Sequence, residues 1–185
     1  YHDREASLQP LSDALKGMVS RKGNYLVFFP SYLYLRNVYE VFTEKYPEVC
    51  TLLQGSGMSE TEREAFLAAF RPDNPEPLLG FAVLGGIFSE GVDLPGDRLS
   101  DVMVVGVGLP QVGVERNLLR SYFQSRGKNG FDYAYVYPGM CKVQQAGGRL
   151  IRSEKDSGVI VLADDRFLQS SYRQLLPEEW RDYVV

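Results

Sequence analysis

Three buried-looking runs constrain this chain more than any other feature: Tyr25-Leu26-Val27-Phe28-Phe29, Leu78 to Leu84, and the valine-rich Asp101 to Val107. A strand with one face in water alternates apolar and polar side chains, whereas a run apolar at nearly every position has both faces covered. Val49 to Leu53 and Val159 to Ala163 add two more predicted strands. Between the strands stand segments with helical spacing. Ala6 to Val19 puts Leu11, Leu15 and Met18 on one side, and a helix with Val38, Val41 and Phe42 runs towards Lys45. Ser59-Glu60-Thr61-Glu62 is a capping box that opens a helix carrying Phe66, Leu67 and Phe70 and stopping before Pro72. Val112 to Gln124 reads as a helix, as does Met140 to Arg152 after a Pro138-Gly139 turn, and a last helix runs from about Arg166 to Leu175 ahead of Pro177. This alternation predicts an α/β fold, a mostly parallel sheet with helices on both faces. The length of 185 residues favours one domain over two, with a leading helix over 1–22, a core over 23–176 and a tail over 177–185. Ligands of such sheets meet the carboxyl ends of the strands. That rule directs attention to Pro30-Ser31-Tyr32, to Gly85 through Asp93, and to the loop after Val107.

Composition removes several function classes. Aromatic residues at 12% argue against disorder. No run approaches a membrane span and no signal peptide opens the chain, so no membrane partner is expected. The opening Tyr1-His2-Asp3-Arg4 reads as a cut inside a longer protein. The two cysteines, Cys50 and Cys141, are far apart. They make neither a disulfide framework nor a four-thiolate iron-sulfur site, and they read as buried thiols in a reducing cytoplasm. The single histidine, His2, sits at the terminus, which leaves no His-based metal site and no Ser-His triad. A net charge of -4 and a pI of about 5.1 weigh against a stand-alone nucleic-acid binder. Contact with DNA would then use a small local surface, or share the grip with another domain.

Four segments carry polar chemistry. Gly85-Gly86-Ile87-Phe88-Ser89-Glu90-Gly91-Val92-Asp93-Leu94-Pro95-Gly96 follows a buried strand directly. Its glycines permit close backbone approach to a ligand, and a hydroxyl and two carboxylates follow within a few positions. Such a loop suits a ribose, a water or a nucleic-acid strand, and equally a glycine-rich turn with solvated acids. No GxxxxGK[ST] phosphate loop occurs anywhere. In Gln145-Ala146-Gly147-Gly148-Arg149-Leu150-Ile151-Arg152 a continuous helix would align Gln145, Arg149 and Arg152 on one face, with Leu150 and Ile151 turned into the core. Two arginines on one stripe suit phosphate oxygens. Each glycine there costs on the order of 1 kcal/mol against alanine, a cost that close approach of a backbone or ligand would explain. Phe28-Phe29-Pro30-Ser31-Tyr32 offers a hydroxyl for a phosphate and a ring for a base, or a helix cap and a packing residue. In Asp156 to Phe167 the acids read mainly as helix-capping groups, with Arg166 tying the last helix to the one before it.

Together these segments resemble the second RecA-like domain (the P-loop NTPase-type helicase domain 2) of superfamily 2 DNA helicases of the XPD/DinG type. Phe28 to Tyr32 resembles the family's FFPSY element. Phe88 to Asp93 resembles its motif V, FSEGxDF, with Leu94 in place of the final Phe. Gln145 to Arg152 matches motif VI, QxxGRxxR, in which Gly148 is the motif's own glycine and Gly147 a variable position. Asp156 to Phe167 matches the following D-x-G-x-x-x-x-x-D-x-R-F stretch. The matches run in family order from about Leu26 to Phe167, while Gly106 to Phe131 matches nothing assignable. The resemblance implies ATP with Mg2+ in a cleft between two RecA-like domains, the first of which holds phosphates and metal. It implies arginine fingers at Arg149 and Arg152, with Gln145 orienting the nucleotide or its water. Glu90, Gly91 and Asp93 would sense nucleotide. The loop around Gly86 and Ser89 would approach the DNA backbone, and Ser31 and Tyr32 would contact single-stranded DNA. It further implies 5′ to 3′ movement, a cytoplasmic DNA-associated setting of bacterial type, and no ATP hydrolysis by this chain alone.

Two other readings stand beside it. A non-catalytic interaction domain could keep the fold and dock a partner, although a scaffold has no need of both arginines. A nuclease could use Asp93, Asp156 and Asp164, although these acids lack a recognisable metal-ligand spacing and a lysine or histidine base.

Overall fold

Runs that leave no position for water become the inner strands of one parallel sheet. The computed structural model describes residues 4–89, 94–151 and 156–185. Strands β1 (Asn24–Phe29), β3 (Leu78–Val83) and β4 (Asp101–Val105) are buried at every position. Strands β2 (Cys50–Leu53) and β5 (Val159–Ala163) form the edges, giving the order β2-β3-β1-β4-β5 with every pairing parallel. The pleat sorts successive side chains into two cores. Leu26, Phe28, Leu78, Ala82, Val102 and Val104 enter one, and Tyr25, Val27, Phe29, Leu79, Phe81, Val83, Met103 and Val105 enter the other. Helices α1 (Arg4–Met18) and α2 (Tyr32–Lys45) cover the second core with Leu11, Leu15, Leu35, Val38 and Phe42. Helices α3 (Glu60–Ala68) and α5 (Tyr137–Gly147), with the short α6 (Ser170–Arg173), cover the first through Phe66, Met140, Val143, Ala146 and Tyr172. Each fully buried large apolar side chain contributes about 1.5–3 kcal/mol. Among the described residues no helix is long and apolar enough to cross a membrane.

The capping box predicted at Ser59 forms, and Ser31 takes the capping one of the two roles open to it. Ser31 caps α2 by accepting from the Tyr34 amide at 3.3 Å. Ser59 and Glu62 close the capping box of α3. Past the other end of α3, Arg98 donates to the carbonyls of Leu67 and Phe70 at 2.8 and 2.9 Å, tying the end of the helix to the β3–β4 connection.

Several expectations are corrected. Cys50 and Cys141 are both exposed, because β2 is an edge strand and Cys141 lies on the outer side of α5. Pro138 and Gly139 do not form a turn. A π-helical turn, Asp132–Val136, runs straight into α5, and Pro138 lies just past the junction of the two. Gly139 backs onto β4, and a Cβ there would lie 2.8 Å from the Val107 carbonyl. Helix α5 ends at Gly147 rather than at Arg152. The chain leaves through tight turns over Gly148, Arg149 and Leu150, so Leu150 is buried as expected but Ile151 is exposed. The predicted last helix divides into a 3-10 turn, Asp165–Leu168, and the short α6. Among the described residues, the side-chain partner of Arg166 is not on α5. Arg166 pairs in bidentate fashion with Asp164, two residues away, at 2.7 and 2.6 Å.

Candidate functional site

The carboxyl ends of β1, β2 and β3 bring together groups distant in sequence. Tyr32 opens α2 with its ring exposed. Its hydroxyl receives a hydrogen bond of 3.0 Å from Gln54 Nε2. Gln54 follows β2 and is buried, and its Oε1 accepts from the Val83 amide at the end of β3 at 2.8 Å. Gly86 lies against the same amide, since a Cβ there would be 3.2 Å from Gln54 Nε2. Gly85 takes φ +69, in the left-handed region that glycine tolerates best, and the stem of Lys142 from α5 lies across it. On the other side of β1, Gly106 at the end of β4 packs between Pro30 and the Asp164 carboxylate. Burial pushes the Asp164 carboxyl up, but the hydrogen bonds from Arg166 outweigh it and hold the group below the usual carboxylate range.

From this edge the β3–β4 connection crosses the sheet as a strap, since β3 and β4 both run parallel to β1 and the chain must return from a carboxyl end to an amino end. Its described parts are pinned by Phe88, stacked on Phe66 at 4.2 Å, and by buried Leu94 and Leu99. Ser89 is fully buried, and its hydroxyl donates to the Gly86 carbonyl at 2.9 Å. The Ser89 carbonyl accepts from Arg149 Nε at 3.0 Å. That bond joins two segments sixty residues apart. Arg149 is half-buried. The helix end that carries it is backed by Trp180, and a Cβ on Gly147 would fall 2.3 Å from the indole. The close approach that the glycine pair called for is therefore made by a side chain.

The structure thus brings Tyr32, Gly86 and Ser89 onto one connected path to Arg149, with Ser31 engaged as a helix cap. Ser89 holds the turn rather than presenting its hydroxyl to the surface. Gln145 is exposed near the end of α5, and because α5 stops at Gly147 the expected single stripe of Gln145, Arg149 and Arg152 does not run along one helix. Glu90, Gly91, Asp93 and Arg152 lie outside the described residues. The nuclease reading needs Asp156 and Asp164 together, and they flank opposite ends of β5. Sequence reasoning missed Gln54, Lys142, Arg98 and Trp180. Gln54 was open to discovery, as a polar residue directly after an apolar strand at the sheet's carboxyl edge.

The helicase C-terminal domain model matches residues 15–183. The chain is 30% identical over 170 residues to the ATP-dependent DNA helicase YoaA of Haemophilus influenzae, covering 90% of this chain and 25% of that protein. It is 30% identical over 162 residues to the 3'-5' exonuclease DinG of Staphylococcus saprophyticus, covering 85% of this chain and 17% of that one. The chain therefore spans a quarter or less of the length of these relatives. Among solved structures, an XPD helicase superposes with a TM-score of 0.71 at 23% identity, covering 91% of this chain and 30% of that one, a likeness of fold.

Proposed function

Because this chain belongs to the helicase C-terminal domain family, in its XPD/DinG branch, we propose that it is the second motor domain of an ATP-dependent DNA helicase. In this reading it supplies positive charge to ATP held by a first RecA-like domain, and it grips single-stranded DNA. The observation that carries the reading is the hydrogen bond from Arg149 to the Ser89 carbonyl. It ties the arginine-bearing turn to the start of the strap, where Gly86 packs against Gln54, the side chain that bonds Tyr32.

With no phosphate loop in the chain, ATP and Mg2+ would be held by the first motor domain. A half-buried guanidinium anchored through Nε to a backbone carbonyl fits the terminal charge of a triphosphate. Arg149, with Arg152, would stabilise negative charge that grows on the γ-phosphate in the transition state, and Gln145 would orient the attacking water or the nucleotide. Glu90, Gly91 and Asp93 would sense the nucleotide. Ser31, Tyr32 and Gly86 would meet the DNA, with Ser89 keeping the Gly86 turn in shape. Closing and opening of the cleft would then advance this domain along the strand, in the 5′ to 3′ sense.

The test is ATPase activity of this chain alone, and again with a separately expressed first motor domain, with and without single-stranded DNA. Activity that appears only in the mixture and rises with DNA supports the half-site. Two domains that bind each other yet stay inactive favour the alternative, a non-catalytic interaction domain. One observation favours that alternative: α4 (Val114–Ser125) buries none of its residues and leaves Val114, Leu118 and Tyr122 exposed on successive turns.

A further inference from the structure

Gln54 fixes which way the Tyr32 hydroxyl can point its hydrogen. A backbone amide only donates, so the Gln54 atom that meets the Val83 amide at 2.8 Å must be the carbonyl oxygen Oε1. The other end of the side chain, facing Tyr32 at 3.0 Å, is therefore the amide nitrogen, which also only donates. The Tyr32 oxygen is thus an acceptor in this bond, and its own O–H is left to donate elsewhere. Among the described residues the Gln54 bond is the one the hydroxyl makes, and the side chain is 40% exposed. Gln54 itself is 2% exposed and held a second time through its own backbone amide, which donates to Phe81. The polarity is therefore imposed from inside the sheet. Beside it Lys142 lays its ammonium-bearing stem across Gly85, and Gly86 packs against the Val83 carbonyl and the Gln54 side chain.

We infer that Gln54 is a positioning residue that presents the Tyr32 hydroxyl as an outward donor to a phosphodiester oxygen of single-stranded DNA, so that Tyr32 reads the backbone and not a base. The inference rests on the DNA-binding reading above. It predicts binding insensitive to base identity, because a phosphate carries no sequence information.

The test uses the intact protein and fluorescein-labelled oligothymidylate, read by fluorescence anisotropy at mildly alkaline pH. Tyr32→Phe keeps the ring and removes the donor, and it should weaken binding roughly tenfold, as loss of a hydrogen bond to a charged group does, close to the loss in Tyr32→Ala. Gln54→Glu still accepts from Val83 but also accepts from the hydroxyl, turning its hydrogen inward, and should weaken binding by a similar factor. In the Tyr32→Phe background, Gln54→Glu should cost clearly less than it does in the wild type, leaving only the repulsion that its charge adds. Tyr32→Phe binding like wild type while Tyr32→Ala loses affinity would overturn the inference in favour of stacking on a base. Additive losses from Gln54→Glu and Tyr32→Phe would overturn the positioning role. Should Gln54→Glu fail to fold, the comparison of Tyr32→Phe with Tyr32→Ala decides the matter. If Tyr32→Ala itself binds like wild type, the DNA-binding reading of this edge fails, a distinct result.

Discussion

At the carboxyl edge, Tyr32 stands where β1 gives way to α2 and leans on Gln54, a buried side chain that bonds to the end of β3. Arg149 is held differently. It lies past the last turn of α5, with Nε on a loop carbonyl, and its helix end is backed by Trp180 from the distal 3-10 turn Glu178–Trp180. The first arrangement is anchored in the sheet, whose backbone bonds hold it whatever else moves. The second is anchored in two peripheral segments, the strap and the distal turn. The contrast teaches that the Tyr32 end is preorganised by the sheet while Arg149 depends on two peripheral segments, the difference expected if, as proposed, the first meets DNA and the second answers to a partner domain.

The largest effect is expected from Arg149→Ala in the intact protein, which should cut DNA-stimulated ATP turnover by about 10³-fold and leave oligothymidylate affinity unchanged. Undiminished turnover would remove Arg149 from the ATP site. Phe88→Ala should cost about 3–5 kcal/mol of stability in a denaturant titration. Its stacking on Phe66 pins the strap that both ends share, so turnover and DNA affinity should fall together. Gly147→Ala should cost about 1–3 kcal/mol through overpacking against Trp180, and Trp180→Ala in the same chain should recover part of it. That variant should slow turnover at constant DNA affinity. A parallel fall in DNA affinity would mean that the two ends are not separately anchored.

The smallest effect concerns pH. The Asp164 pKa is lowered on folding because hydrogen bonds from Arg166 outweigh the cost of burial. Its contribution to stability is therefore complete above the ordinary carboxylate range, and is lost as pH falls through the lowered folded value. Thermal melts of wild type and Asp164→Asn should differ most near neutral pH and converge in acid. A gap that widens in acid would show that the pair does not stabilise this edge.

Much of the molecule was legible before any coordinates. All five strands were readable from their apolar runs; for β1, β3 and β4 burial on both faces leaves a period-free signature that few other arrangements tolerate, while the edge strands β2 and β5 carry apolar runs without a fully buried position. The caps at Ser31 and Ser59 were readable because capping is local chemistry between residues three apart. The motif order led to Arg149, Ser89 and Tyr32. What the local pattern misjudged were endpoints and companions. Periodicity carried α5 through to Arg152, yet the helix stops at Gly147, where Trp180, remote in sequence, fills the space a side chain would need. The thiols of Cys50 and Cys141 were assigned to the core by residue type, and only the strand order and the outward side of α5 leave them exposed. Gln54 drew no reading from its local sequence, and only folding brings it beside Tyr32 and Val83. The sequence by itself determined which segments must be buried and which backbone ends must be capped, since both are settled within a few residues. The tertiary structure alone decided which distant groups meet, because a hydrogen bond across the sheet depends on strand order and register, and no local spacing encodes either.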